Sequence, residues 1–112
     1  MDAYKFVVLT NPAEGRDDEF NAWYDGRHLE DVMKVPGFVR AQRLEVAPFS
    51  RGAPPKFKYM TIYDIESDDV EKTFEAFFSS VGTERMPISD GMARGAGLSL
   101  YRVRGPIRTK EK

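Results

Sequence analysis

The step Val35-Pro36-Gly37 constrains this chain more than any other, because it separates a stretch of helical period from a stretch of strand period. Proline disfavours helical geometry at the residue before it, and glycine completes the stop. Upstream, Phe20, Tyr24, His28 and Val32 recur every four residues, and Asp17, Asp18 and Glu19 put negative charge where a helix begins. A helix is therefore expected from Asp17 to about Lys34. Downstream, residues 38–47 alternate as a strand does. Gly26, inside the helix, costs up to ~1 kcal/mol relative to alanine, so a close backbone approach is expected there.

The remaining segments follow by the same reasoning. Tyr4 to Thr10 is rich in β-formers and stops at Asn11-Pro12, and Lys58 to Ile65 contains the run Tyr59-Met60-Thr61-Ile62-Tyr63. Between the second and third strands, residues 48–55 read as a long hairpin loop. Ser67-Asp68-Asp69 should cap a second helix, with Glu71 as a capping-box partner of Asp68. That helix has the apolar stripe Val70, Phe74, Phe77, Phe78 and Val81 and ends at Gly82. Residues 83–97 read as a loop whose part from Met86 onward forms a flap, and Leu98 to Arg104 is a last strand. Residues 1–105 make one domain and 106–112 a polar tail.

The order β-α-β-β-α-β predicts an α+β ferredoxin-like fold, a four-stranded antiparallel sheet with two helices on one face. The other face then has no cover within the chain. Yet the strands are apolar at both parities: Phe6 and Val8 against Val7 and Leu9, Met60 and Ile62 against Tyr59 and Tyr63. A one-sided sheet should alternate with polar residues. A homodimer through the open sheet face is expected.

Composition limits the chemistry. Lysine plus arginine total 17 against 18 acidic residues, so no basic excess favours nucleic acid. There is no cysteine, which removes disulfides and thiolate metal sites. No segment reads as a signal peptide or a membrane span, so a cytoplasmic protein is expected. Gly91, Gly95 and Gly97 fit no phosphate-binding pattern.

His28 is the only histidine. Unperturbed imidazole titrates near ~6.5, which suits proton transfer at neutral pH. Asp25 and Asp31 lie three residues to either side and could orient it. The alternative is a core histidine with its hydrogen bonds satisfied. Trp23 and Tyr24 could stack on a planar substrate, or pack the core and a dimer contact. Tyr59, Thr61 and Tyr63 share a sheet face and could line a cavity wall. Arg43 could fork onto a carboxylate or enolate, or pair with Glu45 or the partner chain. With one histidine and no cysteine, neither a metal site nor haem ligation is expected.

The segments Asn11-Pro12-Ala13-Glu14-Gly15, Glu19 to Asp25, His28-Leu29-Glu30-Asp31-Val32 and Val35 to Val39, with Ala41-Gln42-Arg43, resemble the EthD-like proteins of the dimeric α+β barrel superfamily. The likeness implies a ferredoxin-like dimer with a small pocket between sheet and helices. It also implies company that ranges from cofactor-free monooxygenases to isomerases, cyclases and haem-related enzymes. The resulting expectation is a cofactor-independent isomerase, cyclase or monooxygenase acting on an aromatic or cyclic metabolite. His28 would be the general acid/base, with Asp31 and Tyr24 beside it and Trp23, Arg43, Tyr59 and Tyr63 holding substrate. The alternative is a non-catalytic homodimer that binds a ligand or supports another enzyme.

Overall fold

The computed structural model describes residues 1–48, 51–53 and 55–111. Its elements are β1 (Asp2–Thr10), a helical rod made of α1 (Asp17–Trp23), a π turn (Tyr24–His28) and α2 (Leu29–Met33), then β2 (Phe38–Glu45), β3 (Tyr59–Ser67), α3 (Val70–Ser80) and β4 (Gly97–Arg102). The strands form one sheet in the order β2-β3-β1-β4, every pair antiparallel. This is the ferredoxin-like arrangement expected from the element order.

Register assigns the faces. Phe6 lies opposite Tyr63, Val8 opposite Thr61 and Thr10 opposite Tyr59. All six are buried, beneath the rod and α3. Phe6, Phe38, Tyr63 and Phe77 form the centre of the core, with Val32 of the rod at 0% exposure. Their rings meet edge-on or tilted at centroid distances of 5.5 to 6.3 Å, except for the stacked Phe38–Phe77 pair. On the other face Val7, Leu9, Met60 and Ile62 are half-buried around Asp64, which accepts from Lys5 Nζ at 2.6 Å and Arg40 Nε at 2.7 Å.

Several local expectations change. The single helix from Asp17 to Lys34 contains a π turn, marked by the Leu29 N–H donating to the Tyr24 carbonyl five residues back. Gly26 faces open space, with nothing within 4 Å of where a Cβ would stand, so close backbone approach is not its role. Gly37, by contrast, has φ 97° and its Cβ would meet Glu66 O and Thr73 at 3.3 Å. The cap of α3 is Asp69, whose carboxylate accepts from the Lys72 N–H at 3.3 Å; Asp68 instead pairs with the N-terminal ammonium. Strand β2 ends at Glu45 and β4 at Arg102, each two residues early, whereas β3 runs on to Ser67. Part of the expected loop at 48–55 lies outside the described residues.

Candidate functional site

The π turn builds the site. In an α-helix residues five apart point about 140° away from each other. The wider π turn brings them together, so the Trp23 indole stacks on the His28 imidazole with centroids 4.5 Å apart and planes inclined by 27°. Tyr24 meets the same imidazole edge-on at 4.9 Å. The Trp23 Nε1–H donates to the Pro87 carbonyl at 3.2 Å, which ties the rod to the segment after α3.

Between rod and sheet lies a cavity of about 140 Å³ lined by His28, Tyr24, Tyr63, Thr10, Phe77 and Met92, with Phe78 and Leu98 among the exposed residues at its rim. His28 is 7% exposed, and among the described residues neither ring nitrogen has a hydrogen-bond partner; Nδ1 is fully buried. Burial first, opposed by the nearby Asp31 carboxylate and reinforced by Arg43, lowers its pKa to about 4. The ring is therefore neutral at neutral pH, and the expectation of titration near pH 6.5 is corrected. Tyr63 Oη lies 3.4 Å from Tyr24 Oη, and burial pushes the Tyr63 phenol well above its ordinary range. It stays protonated.

The expected site residues fall into three groups. His28, Tyr24 and Tyr63 share the cavity wall, and Trp23 stacks against His28. Asp31 is buried but its carboxylate takes Arg27 Nε at 3.1 Å and Lys34 Nζ at 3.8 Å. Asp25 takes Arg43 Nη1 at 3.0 Å. Neither aspartate hydrogen-bonds the imidazole, because the π turn carries Asp25 off its side and Asp31 is engaged elsewhere. Arg43 and Tyr59 belong to a neighbouring recess with Asn21 and Glu45. There the guanidinium lies 4.3 Å from the Tyr24 ring centroid and 5.1 Å from that of Tyr59, a cation–π arrangement behind the cavity wall. Its partner is Asp25 rather than the Glu45 considered from sequence.

Thr10, Phe77 and Met92 escaped the sequence reading of the site. Thr10 could have been found, since it is the polar member of the inward set Tyr4, Phe6, Val8 and Thr10. Met92 could not, because its position depends on a bridge to Pro12 and on the Ala93 N–H donating to Asn11 O at 2.9 Å. These bonds also tie residues 91–93 to the loop after β1, and Ile88, Met92 and Ala96 of the same segment line the cavity.

No family model and no curated protein matches the chain. Solved structures do. An EthD-like protein from Ralstonia eutropha JMP134 is 24% identical, with 89% of this chain and 90% of that one aligned at TM-score 0.59. SnoaB, a cofactor-independent oxygenase from Streptomyces nogalater, is 17% identical over 97% of this chain and all of its own (100%), at TM-score 0.62. The haem-degrader MhuD from Mycobacterium tuberculosis, solved with two haems in its active site, is 19% identical over 94% and 99%, at TM-score 0.59. This chain has a ferredoxin-like fold, which it shares with these structures.

Within that fold the chemistry varies, and the likeness carries the fold alone. The lining at His28 is a poor match for haem, since no cation among the described residues lines the cavity to meet its propionates. Among the described residues no group of three or more histidine, aspartate or glutamate side chains could hold a metal ion. No helix there is long and apolar enough to cross a membrane.

Proposed function

We propose that this chain is a small-molecule enzyme in which His28 moves a proton on an aromatic or cyclic substrate without a cofactor. One observation carries the reading: a buried imidazole with no hydrogen-bond partner borders a cavity. Buried polar groups are ordinarily paired, so such a ring is explained by a ligand that pairs with it. The neutral ring has one nitrogen to accept a proton and one N–H to donate. It would take a proton from a substrate O–H, or from a C–H beside a carbonyl, leaving an enolate or phenolate next to the imidazolium. Returning that proton to a different atom is an isomerisation or closes a ring. Handing the carbanion's electrons to dioxygen is the oxygenase variant. Tyr24 and Tyr63 would hold the developing oxyanion through their hydroxyls, and a positioned acid/base of this kind contributes ~10²–10⁴-fold in rate.

One observation favours the second reading, a binding protein without catalysis. No carboxylate hydrogen-bonds the imidazole, so the imidazolium lacks the support usual in acid/base pairs. Deuterium wash-in separates the two. Small cyclic ketones and phenols are incubated in D₂O with the protein and with His28→Gln, and exchange at carbon is followed by NMR. Exchange by the wild type that the variant loses supports the enzyme. Ligands that bind both proteins equally, without exchange, leave only the binding protein.

A further inference from the structure

We infer that the cavity at His28 takes a neutral phenol ring bearing a second oxygen function, and discriminates against carboxylates. The inference rests on the preceding reading of His28 as a ligand-facing group. Size is the first ground. A cavity of about 150 Å³ in another protein accommodates benzene, so about 140 Å³ is room for one six-membered ring, and the exposed Phe78 and Leu98 mark the side on which it opens.

Charge is the second. Among the described residues the lining has no lysine, arginine, aspartate or glutamate. The nearest cation, Arg43, lies against the Tyr24 ring and outside the lining; its Nη1 pairs with Asp25, while Nε and Nη2 are buried without a partner among the described residues. An anionic ligand in the cavity would have to shed its water with no counter-charge on the lining.

The third ground is where the unused polar groups sit. His28 comes from the rod, while Thr10 and Tyr63 come from the sheet across the cavity. The Tyr24–Tyr63 pair uses one hydroxyl proton between the two oxygens, which leaves the other free to be donated. Thr10 Oγ1, also without a partner among the described residues, has no accessible surface, so the sheet-side donor is the tyrosine pair. A hydroxyl that donates to His28 and a second oxygen that accepts from the sheet side would satisfy both walls across one aromatic ring. Phe77 and Met92 pack its faces.

The test uses the single histidine and single tryptophan of the chain, whose ring resonances report the site directly. The protein is titrated with hydroquinone, resorcinol, phenol, toluene and 4-hydroxybenzoate. The expected result is that a dihydric phenol shifts the His28 and Trp23 resonances with at least tenfold higher affinity than 4-hydroxybenzoate, and several-fold higher than phenol. Tyr63→Phe should lower the dihydric affinity toward that of phenol while leaving phenol itself nearly unchanged. Equal or tighter binding of the carboxylate overturns the inference but leaves His28 as a ligand-facing group. Toluene binding as well as phenol overturns the hydrogen-bonding part in the same way. If no compound of any class moves the His28 resonances, the underlying reading falls and the inference with it.

Discussion

His28 couples the site to the stability of the whole chain through a proton. Its pKa is about 4 when folded against about 6.5 when exposed, so between those values the unfolded chain binds the proton that the folded chain refuses. The stability that goes with a neutral ring is fully present above pH 6.5 and is lost as pH falls toward 4, by up to about 3 kcal/mol. Carboxylates add their own acid loss, so the diagnostic quantity is a difference. His28→Gln should flatten the fall in melting temperature between pH 7 and pH 4 relative to wild type. Parallel curves for the two proteins would show that the ring is not held neutral by burial. The same value places any activity limb: a reaction that needs the neutral imidazole should have a kcat/KM that is flat through neutrality and drops only near pH 4.

At the scale of elements, two glycines that the sequence treats alike differ in what they do. Gly37 sits at φ 97° with Thr73 and the Glu66 carbonyl 3.3 Å from where a methyl would go, at the junction of rod, β2 and α3. Gly37→Ala should cost more than 1 kcal/mol in urea unfolding through strain at positive φ. Gly26 has ordinary φ and open space, so Gly26→Ala should stabilise by about 0.4–1 kcal/mol. A destabilised Gly26→Ala would mean that the π turn needs glycine. The break at Val35-Pro36-Gly37, the inward parity of the strands and the stripe of Phe20, Tyr24, His28 and Val32 were all legible, because each is a period written in side chains. The π turn was not. Inserting it leaves that stripe buried, and its signature is a backbone bond and the pairing of Trp23 with His28, residues that an α-helical reading keeps apart. The failed pairing of Asp25 with His28 has the same origin. Arg43 was legible as unusual, but its direction depends on how β2 lies against the π turn.

Among the described residues no helix covers the second face of the sheet. Phe57 borders Leu9 and Met60 at one end, Val7 and Ile62 are half-buried, and Leu44 is 41% and Tyr101 59% exposed. At their centre, burial would raise the Asp64 pKa, but the Lys5 and Arg40 hydrogen bonds outweigh it and hold the carboxylate below its usual range. An apolar surface with an internally neutralised carboxylate is suited to burial against a second copy, and a homodimer through this face is the proposal. On the helix side the exposed Phe78 and Leu98 line the cavity. Sedimentation should give twice the chain mass at micromolar concentration. Ile62→Lys should yield a folded monomer, because the added ammonium would be trapped between two sheets without a counter-charge. The cavity opens on the opposite side of the sheet, so the monomer should still shift its His28 resonance with the ligand. A wild type that sediments as a monomer would remove the dimer. A monomeric variant that no longer binds would show instead that the partner sheet supports the site.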